Sequence, residues 1–293
     1  QLRGDRGLGG HAMTRRGGRL LAGAAGLALL VSVFGGVPVA TGTEAADDAL
    51  ALADSFAACT QQQGAADVIL LLDQSLSLKD SDPKLVRRAA SRDLVQQLEG
   101  YATAAHVDLN IQVAGFDGVY HEGPWHPLDA GTLGQVLGEV DEATDNEGLG
   151  PATDYWMALD GARAQFAQTA GSGSPCRMLV WFSDGQYDVD ENGSFGRTLP
   201  YAPDVTLNDD TKDEVIQAGK DSICSAKQGP MNPMRVTGVY VATVGLNTLN
   251  PDLDFLKQAT DGSNNCGRTP LPDHAAYLEA EEAGALTLAI AGL

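Results

Sequence analysis

Basic residues are scarce in this chain of 293 residues: 19 Lys and Arg stand against 39 Asp and Glu, for a formal net charge of -20. Nucleic-acid binders neutralise phosphates with Lys and Arg, so the deficit excludes that class and disfavours an acidic membrane surface. Phosphate cradles are missing too. No GxGxxG follows the first apolar run and no GxxxxGK occurs, so no nucleotide site is expected. There is no GxSxG elbow either. His121-Glu122-Gly123-Pro124-Trp125-His126 departs from HExxH, because its second His comes one residue late and Gly-Pro breaks a helix, so it reads as a loop.

Cysteine is sparse and has no CxxC spacing, which removes the zinc pattern. The four cysteines, Cys59, Cys176, Cys224 and Cys266, make an even set. In an exported chain that favours disulfides and leaves no thiol nucleophile. Three pairings are open. Cys59 precedes the first apolar strand and Cys176 precedes the Met178–Phe182 strand, so neighbouring strands would pair Cys59 with Cys176 and leave Cys224 for Cys266.

Long apolar runs are confined to the start. Residues 1–12 read as extra sequence upstream of Met13. Residues 13–45 read as a signal peptide or signal anchor: Arg15, Arg16 and Arg19, then Leu20–Phe34, then small residues through Ala46. Extended to Ala40, the stretch is long enough to be a membrane anchor at the N-terminus. In both cases the basic flank stays inside and the rest is expected to be secreted or on the extracellular face of the envelope. Arg3-Gly4-Asp5 lies upstream of Met13 and is discarded as an integrin-type tripeptide.

What is present is a core-forming chain, 43% hydrophobic. Residues 46–65 read as a helical lead-in and 66–293 as one domain. Val68–Leu72 is a continuous apolar run too short for a typical helix, hence a strand buried on both faces. Asp82-Pro83 starts a helix over Lys84–Ala105. Strands follow at Val107–Phe116 and Val119–His121, then helices at Ala130–Ala143 and Thr153–Thr169. After the Met178–Phe182 strand, Gln186–Thr211 is a polar insertion without core periodicity. A helix over Lys212–Ala226, a strand over Val236–Val244, a helix over Leu253–Ala259 and a closing amphipathic helix over Ala275–Leu293 complete the pattern. Strands alternating with helices predict an α/β fold with a doubly wound, mostly parallel open sheet. Trp125, Trp156 and Trp181 read as core or rim packing.

Chemistry concentrates where strands end. Asp73-Gln74-Ser75-Leu76-Ser77 follows the first strand, Thr153 opens a helix, and Asp184-Gly185 follows the Met178–Phe182 strand. In open sheets ligands sit beyond the carboxyl ends of strands. Five oxygen-bearing side chains there suit a hard cation rather than zinc or copper. Singly, each has a plain reading: Asp73 as a turn cap, Ser75 and Ser77 as loop hydroxyls, Thr153 as a helix N-cap.

Together, Asp73-x-Ser75-x-Ser77, Thr153 and Asp184-Gly185 resemble the von Willebrand factor type A domain with its metal-ion-dependent adhesion site, of bacterial secreted or surface type. The resemblance spans about Asp67–Leu293. It implies a Rossmann-like fold and a divalent cation, Mg²⁺ first and Mn²⁺ or Ca²⁺ as alternatives. It further implies direct contacts from Ser75, Ser77 and Thr153, water-mediated ones from Asp73 and Asp184, and a protein ligand presenting Asp or Glu to an open coordination position. The function expected is a non-enzymatic, adhesion-type binding module. The alternatives are an envelope subunit in which the metal stabilises the fold and, less favoured for want of a general base, a metal-dependent hydrolase. Asp188-Val189-Asp190-Glu191-Asn192-Gly193 imitates the opening of a calcium loop, but Leu199 stands where Glu is required. The insertion is expected to form a rim that selects partners.

Overall fold

The computed structural model describes residues 43–169, 175–185, 187–189, 196–225, 229–246, 253–261 and 275–279. The signal segment, Asp190–Gly193, Cys266 and the end of the expected closing helix lie outside the described residues. Among those described, no helix is long and apolar enough to cross a membrane.

Seven described strands form one sheet: β1 (Ala65–Asp73), β2 (Asp108–Phe116), β3 (Tyr120–His121), β4 (Trp125–Pro127), β5 (Cys176–Ser183), β6 (Val239–Gly245) and β7 (Ala275–Glu279). Their order is β3-β2-β1-β5-β6-β7, with β4 also on β2. The pairs β1–β2, β1–β5, β5–β6 and β6–β7 are parallel, and β3 and β4 run antiparallel to β2. The described helices are α1 (Thr43–Gln63), α2 (Leu78–Ser81), α3 (Val86–Ala105), α4 (Leu133–Ala143), α5 (Tyr155–Gln168), α6 (Lys212–Ile223), α7 (Met231–Val236) and α8 (Leu253–Asp261).

The uninterrupted run in β1 has a simple cause. Successive strand side chains point to opposite faces, and helices cover both. Val68, Leu70 and Leu72 pack with Leu52 and Phe56 of α1, Leu94 and Val95 of α3 and Val136 of α4. Ile69 and Leu71 pack on the other face with Leu159 of α5, Val215 of α6, Met234 of α7 and Leu256 of α8. All five residues from Val68 to Leu72 are fully buried. Each Leu or Ile so buried contributes about 1.5–3 kcal/mol relative to exposure.

The lead-in helix is part of this packing. A disulfide joins Cys59 of α1 to Cys176 at the start of β5, with Cα atoms 6.0 Å apart. No described cysteine is free. The pairing follows from the sheet: Ala66 of β1 lies opposite Cys176, so α1 and β5 meet at the same sheet end.

Several expectations need correction. Ala275–Glu279 is a strand, not the start of a helix: Ala276 and Leu278 join one core layer and Tyr277 the other, a period of two. Trp125–Pro127 is a short edge strand rather than loop, paired with Asn110–Gln112. The helix expected from Lys84 begins at Val86, because Leu85 sits in the left-handed region at φ 55°. The Asp82 carboxylate still serves its amino end, accepting from Val86 N at 2.6 Å and from buried Arg87 at 2.7 Å. Met231–Val236 is helical where strand was expected from Val236. The insertion is not coreless, since Tyr187, Val189, Tyr201, Ala202 and Leu207 are buried in the second layer.

Candidate metal centre

Parallel register builds the site. Leu72 of β1 lies opposite Phe182 of β5, so the two strands end level and Asp73 meets Ser183. The Ser183 hydroxyl donates to Asp73 Oδ2 at 2.6 Å. Asp73 Oδ1 accepts from Ser75 N at 2.8 Å, an Asx turn that swings the chain off the strand. Ser75 Oγ and Ser77 Oγ then lie 2.9 Å apart. Ser77 ends this loop as the first residue before α2 without capping it through its side chain.

The second loop is stitched to the first. Leu76 N donates to Gly150 O at 2.8 Å and Gly150 N to Gln74 O at 2.9 Å. Gly150 also lies against the loop after β2, where a Cβ would overlap the Asp117 side chain. Thr153, 2% exposed, is reached three residues on. Its backbone exchanges hydrogen bonds with Asp188 at 2.9 and 3.2 Å. Its plain reading fails: the N-cap of α5 is Asp154, whose side chain accepts from Met157 N at 3.1 Å. The third loop carries Asp184, which accepts from Ser81 Oγ at 2.7 Å. Gly185 takes φ +92°, with Leu253 filling the space where a Cβ would go.

Asp73 and Asp184 are 0% and 2% exposed. Burial, and then the charge of Asp184, push the Asp73 carboxyl up to about 7, against the hydrogen bonds from Ser183 and Ser75. Because Ser183 gives its proton to Asp73, the Tyr155 hydroxyl donates to Ser183 Oγ at 2.8 Å, and Gly185 N donates there at 3.2 Å. Ser183 and Tyr155 therefore hold both the carboxylate and the Asp184-Gly185 turn. The Ser-Asp-Gly triplet contained this signal, but only the register reveals what Ser183 touches.

The donor chemistry fits a hard cation. Two carboxylates and three hydroxyls are all oxygen. Among the described residues no three His, Cys, Asp or Glu side chains group to hold a metal.

A buried carboxylate beside Thr153 anchors the insertion. Asp154 accepts from Tyr201 OH at 2.6 Å and Tyr187 OH at 3.3 Å. Burial pushes its carboxyl up to about 6, although these donors pull it down. Tyr187 also stacks on Tyr155, with ring centroids 5.0 Å apart. Sequence reasoning missed all three, since isolated tyrosines in a polar stretch show no periodicity. Beyond β2, His121 and Asp117 pair at 3.1 Å, and the hydrogen bond to Asp117 raises the His121 pKa.

Known structures share this architecture. A minor pilin of Streptococcus sanguinis, PilB, superposes with a TM-score of 0.52 at 14% identity, over 78% of this chain and 60% of the pilin. This chain thus spans well under two thirds of the pilin. The vWF domain of the type V pili tip protein Mfa5 of Porphyromonas gingivalis is similar over 78% of this chain and 95% of that domain, at 13% identity and TM-score 0.44. Manganese-loaded TRAP protein of Plasmodium vivax gives 16% identity and TM-score 0.45 over 78% of this chain and 72% of its own. No family model matches the chain, and no curated protein does. At such identities the likeness to the pilin is one of fold: a mostly parallel sheet flanked by helices.

Proposed function

We propose that this chain is an exported, adhesion-type module that binds an acidic side chain of a protein partner through a divalent cation. One observation carries the reading: two nearly inaccessible carboxylates, Asp73 and Asp184, stand at the tips of adjacent parallel strands, near enough for one to raise the pKa of the other. Burying like charges together is costly unless a cation compensates them. Asp73, Asp184, Ser75, Ser77 and Thr153 would hold that cation, Mg²⁺ first. When bound, it supplies an electrophilic position for a partner's Asp or Glu. The hydroxyls are neutral donors and leave more of the cation's charge for that ligand.

Net charge does not oppose this. At physiological salt, exposed charges are screened over about 8 Å, whereas a bound cation acts at contact. A fold shared with a minor pilin suits a surface location, and the Cys59–Cys176 bridge suits an oxidising compartment. The near-complete burial of both carboxylates also favours a stabilising role for the cation. Affinity capture of an acidic peptide partner with Mg²⁺ and with EDTA, alongside melting curves, tests the proposal. Capture lost in EDTA by a still-folded protein supports bridging, and capture indifferent to EDTA refutes it.

A further inference from the structure

At the opposite end of the sheet lies a cavity of about 160 Å³, whose lining includes Arg163, Phe166, Arg177, Met234, Thr237 and Val239. Ser183 lies six positions beyond Arg177 along β5, about 20 Å of strand, so this cavity is remote from the cation loops. Its walls come from the second core layer, which contains Phe166, Met234 and Val239. Arg177 alternates with Leu179 and Trp181 of that layer and so shares their face.

In a chain with twice as many acids as bases, Arg177 Nε is buried without a hydrogen-bond partner, as are Arg87 Nε and Arg235 Nε, whose other guanidinium nitrogens are bonded. Asp67, the register partner of Arg177 on β1, accepts from Asn110 at 3.1 Å, and Asp160 pairs with Arg163 at 2.7 Å. No ion pair joins Arg177 to Asp67; the described pairs involve other residues. A partly desolvated guanidinium outside any ion pair keeps donors to spare, and its planar fork matches a carboxylate. Val236, next in chain to the lining Thr237, is 73% exposed, so apolar surface extends beside it.

We infer that this cavity binds a small organic carboxylate with an apolar body, its head on the Arg177 guanidinium and its body against Phe166, Met234 and Val239. The volume is well below that of drug-sized pockets, which restricts the ligand to a single ring or a short branched chain. The inference does not rest on the cation site.

Benzoate is the probe, titrated into the whole protein by calorimetry while the Arg177 side-chain Nε–H resonance is followed by NMR. Saturable one-to-one binding that shifts this resonance is expected. Benzamide, which lacks the charge, and acetate, which lacks the ring, should each bind at least about tenfold more weakly. Arg177→Met, checked by its melting temperature, should lose about tenfold or more in benzoate affinity. Absence of saturable benzoate binding to the wild-type protein up to about 10 mM overturns the inference. So does equal affinity for benzamide, or undiminished benzoate affinity in a folded Arg177→Met.

Discussion

The Ser183 hydroxyl donates to Asp73 across adjacent parallel strands at 2.6 Å while accepting from Gly185 N, so one side chain joins the two acidic loops. Replacing it with Ala leaves a buried carboxylate oxygen and a backbone N–H without that partner. Hydrogen bonds to charged groups are worth about 1.5–3 kcal/mol. Ser183→Ala should therefore weaken Mg²⁺ binding roughly ten- to a hundredfold, and Ser183→Thr should restore it. Titration calorimetry on both variants decides. Equal losses in the two would mean that packing, not the hydroxyl, matters.

Asp73 makes the cation-free fold sensitive to pH. Burial and the charge of Asp184 move the carboxyl from 3.8 up to about 7 in the folded chain. The folded state thus holds the proton more tightly, and stability is highest in acid and declines as pH rises through 7. Without cation, Asp73→Asn should raise the melting temperature at pH 8 and change it little at pH 4. Mg²⁺ should stabilise the wild type more at pH 8 than at pH 5, and the variant not at all. A variant less stable than wild type at pH 8 in EDTA would contradict this.

Tyr201→Phe removes a donor to Asp154. Leaving a buried acceptor underserved costs about 1–3 kcal/mol. Asp154 is ionised in the folded chain only above about 6, so the loss should be larger at pH 8 than at pH 5 in denaturant melts. A pH-independent loss would assign Tyr201 to packing alone. Because Tyr187 and Tyr201 are both rooted on Asp154, excising the insertion would disturb the fold, and point substitutions are the better probe of its rim role.

The Cys59–Cys176 bridge closes a loop of 117 residues. Loop-closure entropy then gives an upper value of about 4–5 kcal/mol. Cys59→Ser with Cys176→Ser should lower the melting temperature by up to about 8–20 degrees, and dithiothreitol should reproduce much of that in the wild type. An unchanged melting temperature would show that α1 is held by Leu52 and Phe56 alone.

Much of this architecture was legible because burial on both faces leaves a plain trace. Val68–Leu72 and Met178–Phe182 could hardly be other than central strands, and their acidic successors fell at strand tips. Less visible was whatever depends on pairing across the chain. Ala275–Glu279 has too few residues to separate a two-residue period from a helical one. Trp125–Pro127 includes a proline that only an edge strand tolerates. Ser183, Tyr155 and Asp154 take their roles from neighbours more than twenty residues away, which no local pattern encodes.

Calorimetric titration of the cation-free protein with Mg²⁺, repeated on Asp73→Asn and Asp184→Asn, tests the central claim most directly. The account predicts one saturable site in the wild type and none in either variant, with all three proteins folded. Undiminished Mg²⁺ binding in both variants, or none in the wild type, would contradict it.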